Sequence, residues 1–447
     1  MSEVRLHVVK CPFSAEVCPP GSKSLTNRAL VLGALAEGST EVRNCLFADD
    51  TLVMIEALKR LGFDLRVNRS RSSIVVHGQG GRIPAASVDL FCGNSGTSMR
   101  FLTAVCALGH GRFVLDGVLR MRQRPIGQLV GLLRNLGVRV NCLMNEGFPP
   151  VEVLGDGFPG GSARFGSAQS SQFLSAVLQI APLARNEVRI DLEGEQTSWP
   201  YVAMTMQLMD HFGVMSEVLV DKVTGQPRMI AVPQGKYRGG AYTVEPDASS
   251  ASYFLAAAAL HEGSEVTIHG LGKRSLQGDV AFADVLGQMG ASVDVSSDSI
   301  TISGAGGLRG IDVDLANMPD VAQTLAVVAL FAHGQTRIGG LHTLRLKETD
   351  RIGALVTELR KFGAEVESQG DELTIKAPVK VQAAAVDTYD DHRMAMSFAL
   401  AATRIAGVVI KDAQCVRKTY PGFFDDLRKV LASHPRQRRR GSPKRRT

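Results

Sequence analysis

Aromatic residues are scarce in this 447-residue chain, 6% with a single Trp, and no CxxC pair or His/Cys group has the spacing of a zinc site. The seven cysteines (11, 18, 45, 92, 106, 142 and 415) are odd in number and scattered. That argues against a disulfide framework and for a reducing, cytoplasmic compartment. No apolar run approaches the ~20 residues of a membrane span; the run from Tyr253 to Leu260 is far shorter. Met1 to Arg5 show no basic segment leading into an apolar stretch, so no secretory signal is expected. The formal charge of +6 comes from one place: residues 435–447 hold seven basic residues and no acid, which leaves the rest at −1. With few aromatics and no basic body, a nucleic-acid platform is disfavoured. The tail is expected to be a solvated, disordered terminus able to touch nucleic acid only non-specifically.

What is present is apolar residue content of 45% with 21% charge, the composition of a globular protein, over a length that suggests two domains. Glycines punctuate it. Helix-like apolar runs end at Gly38, Gly111, Gly263, Gly334 and Gly407, a spacing of roughly 72 residues with one double step. The skipped copy ends near Pro182 to Asn186. A second series interleaves at Gly62, Gly137, Gly213, Gly290 and Gly363, each after a bulky apolar residue and before a β-like run. That is the pattern of a helix, a C′ glycine and a strand. Two helices and several strands per unit, six units over, predict two similar halves, with a break in the Gly- and Pro-rich residues 224–241.

The first helix of each unit opens on small polar residues: 21–28 (GSKSLTNR), 93–100 (GNSGTSMR), 167–172 (SAQSSQ), 245–252 (EPDASSAS), 317–323 (NMPDVAQ) and 387–393 (DTYDDHR). Capping explains the Ser, Thr, Asp and Asn. It does not explain Lys23, Arg28, Arg100 and Arg393, because a cation opposes the helix dipole at this end. Cations beside free N–H groups make sense where an anion binds, so several helix starts are expected to converge on one anion-binding cleft between the halves.

The segments 20–28 (PGSKSLTNR), 93–100, Arg124 to Gly127 (RPIG), Ser170 to Gln172 (SSQ), Leu346 to Arg351 (LKETDR) and Asp391 to Arg393 (DHR) occur in this order across the units. Together they closely resemble the 5-enolpyruvylshikimate-3-phosphate synthase family over residues 5–431. The resemblance implies an α/β (α+β) fold, a two-domain inside-out barrel of six βαβαββ repeats, with residues 21–245 as one globe and residues 1–20 with 246–434 as the other. It implies a transferase of the shikimate pathway that moves the enolpyruvyl group of phosphoenolpyruvate to the 5-hydroxyl of shikimate 3-phosphate. That addition–elimination would need no metal or organic cofactor. It further implies a monomer, and inhibition by glyphosate at the phosphoenolpyruvate site.

Residue by residue, the resemblance assigns Lys23, Gly96, Arg124, Gln172, Arg351, Arg393 and Lys418 to phosphoenolpyruvate. Lys23, Ser24, Arg28, Ser170, Ser171, Gln172, Ser198, Tyr201, Asp320 and Lys347 fall to shikimate 3-phosphate. Proton transfer falls to Asp320 and Glu348, with Lys23 sharing in catalysis. Such a site must hold several negative charges close together, which requires fixed cations and N–H donors. On local pattern alone, Arg351 also reads as an i,i+3 ion pair with Glu348, Asp320 as a helix cap, and Ser198 and Tyr201 as a turn around Trp199–Pro200. Arg122 reads as an exposed charge. Phe101 stands where the family often has Pro and is expected to bear on the helix carrying Gly96. Thr343 stands where the family often has Asn. The sibling family that acts on UDP-N-acetylglucosamine places a catalytic Cys at the position of Leu119, which disfavours that alternative.

Overall fold

The second glycine series does what its spacing predicts. In the computed structural model, which describes residues 3–434, Gly62, Gly137, Gly213, Gly290 and Gly363 all have φ between 86° and 111°. Each follows a helix and turns the chain into a strand in a conformation L side chains avoid. The basic tail at 435–447 lies outside the described residues.

A complete unit is seen in residues 87–156. Ser87–Phe91 runs parallel to His110–Asp116, and the helix Gly96–Cys106 makes the crossover. The helix Gly127–Asn135 then leads to Arg139–Cys142 and Val151–Asp156, which pair antiparallel and return Val151–Asp156 to His110–Asp116. Five four-stranded sheets share this strand order. The sixth sheet has two strands, Ala385–Val386 and Val409–Ile410; beyond it the chain forms the 3₁₀ turn Ala413–Lys418 and the helix Phe423–Leu431 instead of a hairpin. Two units take their opening strand from elsewhere in the chain. Ala241–Thr243 pairs with Ser39–Arg43, whereas Ser14–Val17 pairs with Glu265–His269.

The first helix of each unit is buried around its whole circumference, as Lys23–Leu35, Gly96–Cys106 and Ala248–Leu260 illustrate. A helix apolar on every side belongs in a core, and the sheets cover these helices with one face each. Buried apolar side chains form two separate clusters. One runs from Leu25 to Val244; the other joins Phe13 and Val17 to residues 248–430. The chain thus passes between the clusters twice, near residue 20 and near residue 245. Among the described residues no helix is long and apolar enough to cross a membrane.

Phe101 is 1% exposed and sits inside the first core, its ring under the guanidinium of Arg28 at 5.1 Å. The helix that carries it still begins at Gly96 with Ser95 as its cap. The larger side chain is therefore absorbed behind the helix and does not intrude on the cleft.

Candidate active site

Side-chain caps fix the helix starts: Ser22 accepts from Leu25 N, Ser95 from Ser98 N, Ser170 from Gln172 N, Asp247 from Ser250 N and Asp391 from Arg393 N. Residues from five of the six starts line one cleft of about 670 Å³ between the two cores. The remaining start reaches it indirectly, because Asp247 Oδ2 accepts from Lys23 N at 3.3 Å.

Fifteen of the sixteen residues singled out from sequence face this cleft. The first half supplies Lys23, Ser24, Arg28, Gly96, Arg124, Ser170, Ser171, Gln172, Ser198 and Tyr201. Asp320, Lys347, Glu348, Arg351 and Arg393 come from the second. Lys418 lies just behind the wall. Its Nζ donates to Asp50 Oδ1 (2.9 Å) and Asn94 O (2.8 Å) and stands 3.7 Å from Glu348 Oε1.

The cations are held in place by the carboxylates of Asp50, Asp320, Glu348 and Asp391. Arg351 is 1% exposed and serves three at once: Asp391 through Nε (2.8 Å), Glu348 through Nη2 (2.9 Å) and Asp320 through Nη1 (3.3 Å). The i,i+3 pair with Glu348 and the place in the site are thus both real. Arg393 Nη2 donates to Asp320 Oδ2 at 2.8 Å, with Lys347 Nζ 3.6 Å from the other oxygen. Lys23 Nζ lies 3.3 Å from Asp50, and Arg124 Nη1 donates to Asn94 O at 3.1 Å with Glu348 4.0 Å away.

Burial alone would raise the carboxyls of both Asp320 and Glu348. For Asp320 it is outweighed by Arg393, Lys347 and Arg351, and for Glu348 by Arg351, Arg124 and Lys418, so both are held well below the usual carboxylate range. Burial lowers Lys347, and the Asp320 charge offsets only part of it. Lys418 moves the other way, since Asp50 and Glu348 together overcome its desolvation. The cleft thus combines ionised carboxylates that can accept protons with cations able to exchange these partners for an anionic ligand.

Arg28, the Ser198 hydroxyl and the Tyr201 hydroxyl already have protein partners. Arg28 donates to Thr205 Oγ1 (2.7 Å), Ser175 Oγ (3.2 Å) and the carbonyls of Ser24 and Tyr201, and burial lowers it to about 10. Ser198, at φ 54°, donates through Oγ to Ala316 O across the cleft, and Tyr201 OH donates to Asp279. Arg122 is tied to Asp116 by a forked pair away from the cleft, while Arg100 donates to Pro125 O and Gly96 O behind it. Thr343 lines the cleft with a buried Oγ1 that has no hydrogen-bond partner in the structure. Gly96 leaves room for two guanidinium groups: a Cβ there would lie 2.5 Å from Arg124 Nη2 and 3.0 Å from Arg100 Nη1, so these ends would have to move.

Sequence reasoning missed Asp50, Asp391 and Asp279. Asp50 reads as an ordinary first-turn acid of the helix Asp49–Arg60, and Asp391 as the cap of the helix His392–Arg404. Asp279 accepts hydrogen bonds from Tyr201 and Ser249, contacts that no local spacing encodes. The available signal for Asp391 was its place beside His392 and Arg393 at a helix start.

The model of the EPSP synthase (3-phosphoshikimate 1-carboxyvinyltransferase) family matches residues 10–427. The 3-phosphoshikimate 1-carboxyvinyltransferase of Vibrio campbellii is 46% identical over 419 residues, 93% of this chain and 96% of the relative. The chloroplastic enzyme of that name from Arabidopsis thaliana is 47% identical, over 96% of this chain and 84% of its own. Among solved structures, an EPSP synthase from Acinetobacter baumannii superposes with a TM-score of 0.79 at 26% identity, covering 96% of this chain and 98% of that one. An enolpyruvyl transferase from Streptomyces tendae shares the fold at a TM-score of 0.75 and 17% identity, covering 96% of each chain.

Proposed function

The chain belongs to the EPSP synthase family, and from that premise we infer that it transfers the enolpyruvyl group of phosphoenolpyruvate to the 5-hydroxyl of shikimate 3-phosphate, giving 5-enolpyruvylshikimate 3-phosphate and phosphate. The observation that carries this reading is the convergence of helix starts, forked arginines and two ionised carboxylates on one cleft. Each substrate brings a phosphate and a carboxylate. Neither could sit beside the other unless cations and N–H donors were fixed there beforehand.

In this reading Ser170, Ser171, Gln172, Ser198, Ser24 and Arg28 receive shikimate 3-phosphate on the first half, and Tyr201 packs against its ring. Lys347 and Asp320 meet its hydroxyls from the second. Lys23, Arg124, Arg351, Arg393 and Lys418 receive phosphoenolpyruvate, whose close approach is supported by the bare backbone at Gly96 and by the amide of Gln172. Asp320, ionised, takes the 5-hydroxyl proton as oxygen attacks the donor's C2.

Glu348 begins ionised as well. When the donor's phosphate and carboxylate draw Arg124 and Lys418 toward themselves, Glu348 loses part of what holds its proton affinity down, so it takes up a proton from solvent and delivers it to the methylene carbon. In the second stage it recovers a proton from the methyl group as phosphate leaves, with Lys23 and Lys418 stabilising the charge on the departing group. The assignment of residues 21–245 to one globe and of 1–20 with 246–434 to the other is supported by the two separate cores. The cleft between them is the catalytic chamber. A cytoplasmic location is supported by seven cysteines that are all unpaired.

The test is phosphate release by the purified chain. It is expected only when both substrates are present. Release from phosphoenolpyruvate alone, or none with the pair, overturns the reading.

A further inference from the structure

One guanidinium in the structure reaches across the cleft without touching a carboxylate. Arg120, from the first half, donates through Nε to the carbonyls of Lys347 (3.2 Å) and Glu348 (3.1 Å), and through Nη2 to those of Lys347 (2.9 Å) and Arg345 (3.2 Å). Those three residues belong to the second half, in the turn before the helix Arg351–Lys361. Two of them, Lys347 and Glu348, send their side chains into the cleft. A surface arginine ordinarily keeps its donors in water or on an acid. Here the fork is spent on the backbone of the segment that carries a proton-transfer group.

The loop that presents Arg120 is braced from below. Arg122 forks onto Asp116 (2.9 and 2.5 Å), and Asp116 Oδ1 also accepts from Gly117 N at 2.7 Å. Gly117 leaves no space for a side chain, since a Cβ there would lie 2.3 Å from the carbonyl oxygen of Gly93. The base of the loop is therefore fixed to the first half, while its tip at Val118 and Leu119 is exposed and Arg120 points across. An exposed, braced loop ending in a fork on the opposite half is the geometry of a latch.

We propose that Arg120 is a positioning residue for the transfer reaction: it grips the backbone at residues 345–348 when the halves are together, and so sets Glu348 and Lys347 against a substrate held by the first half. This rests on the reading above. Arg120 contacts no substrate; it acts through the peptide it holds. Its removal is expected to leave the first half's own ligand contacts intact and to damage the step that needs both halves. Lysine keeps the charge but not the planar fork, and so reaches one carbonyl where arginine spans three.

The experiment compares the full-length wild type with Arg120→Ala and Arg120→Lys. A charge-assisted hydrogen bond is worth a factor of about 10–100, so Arg120→Ala is expected to lower kcat by about that much, with Arg120→Lys in between. Equilibrium binding of shikimate 3-phosphate alone should change less than about threefold in both variants, within the span of a weak contact. Small-angle scattering should show less compaction of Arg120→Ala than of wild type under shikimate 3-phosphate plus an unreactive phosphonate analogue of the donor. Wild-type kcat and full compaction in Arg120→Ala overturn the latch. Equal loss of kcat and of shikimate 3-phosphate binding also overturns it, by showing general damage. An inactive wild type would instead refute the function, and the compaction comparison still decides the latch.

Discussion

Asp320→Asn tests two jobs of one carboxylate. Arg393 and Arg351 donate to its oxygens at 2.8 and 3.3 Å, and Lys347 Nζ stands 3.6 Å away. Asparagine preserves the shape, removes the charge and leaves three cations crowded together. Breaking a buried ion pair by removing one partner costs about 3–5 kcal/mol. The Asp320 side chain is 16% exposed, and the amide oxygen still accepts one bond, which favours the low end, about 3 kcal/mol. For a cooperative unit of ~200 residues each kcal/mol moves Tm by about 2–4 °C, so a fall of about 6–12 °C is expected. Turnover should fall by about 10²–10⁴, because the amide cannot accept the hydroxyl proton.

The pH dependence has a definite sign. Because the folded carboxyl is held below its unfolded value, its contribution is complete above about pH 4 and is lost only as pH falls through the depressed folded value. Calorimetry should therefore find a constant gap between wild type and variant above about pH 7, where Asp279 is ionised in both, with the contribution of Asp320 itself lost only in stronger acid. A variant that melts with the wild type would show that the cations do not depend on Asp320. Turnover within about threefold of wild type would remove Asp320 from proton transfer, since such a group is worth far more.

Two further outcomes follow from the geometry. Gly96→Ala should fold normally, because the atoms its methyl meets are the flexible ends of Arg124 and Arg100; displacing Arg124 should raise KM for phosphoenolpyruvate by about 10–100-fold while leaving shikimate 3-phosphate binding nearly unchanged, and equal losses for both would refute this. Asp279 has the opposite sign to Asp320: burial and the Asp320 charge push it up to about 6, so it costs the folded state roughly 3 kcal/mol as pH rises from 4 through 6. Asp279→Asn should therefore gain stability over wild type across that window in denaturant titrations, and a difference that does not vary with pH would contradict the assignment.

Much of this protein is legible in its sequence because the informative signals are local and repeated. A helix ending in glycine recurs at a fixed interval, and a helix start carrying a misplaced cation recurs with it. Both are short-range constraints, and both appear in the structure at the expected residues. What escaped is long-range. Asp391 reads as a cap and is one, but it is also the counter-ion of an arginine 40 residues earlier. Arg120 lies beside the Arg-Pro motif with only a long contact to Gln123 nearby in sequence, and its shorter bonds go to carbonyls more than 220 residues away. The environment of Phe101 is likewise set by a helix from another unit, so the substitution predicted crowding where the fold provided a stacking partner.

The exchanged opening strands also govern the order in which the chain can fold as it is made. Ser14–Val17 emerges first but pairs with Glu265–His269, so it must wait for about 250 residues, some 12–50 s at ordinary rates of synthesis. Ser39–Arg43 stays an open edge on one side until Ala241–Thr243 arrives. Neither half can finish from its own leading segment. The last strand to reach the first half is followed at once by the crossing at Glu245 to Asp247, where Ser22 N donates to Glu245 O and Lys23 N to Asp247. Completion of the first body on the ribosome therefore coincides with assembly of the segment that joins it to the second, and a nascent chain stopped before residue 241 retains an unpaired sheet edge.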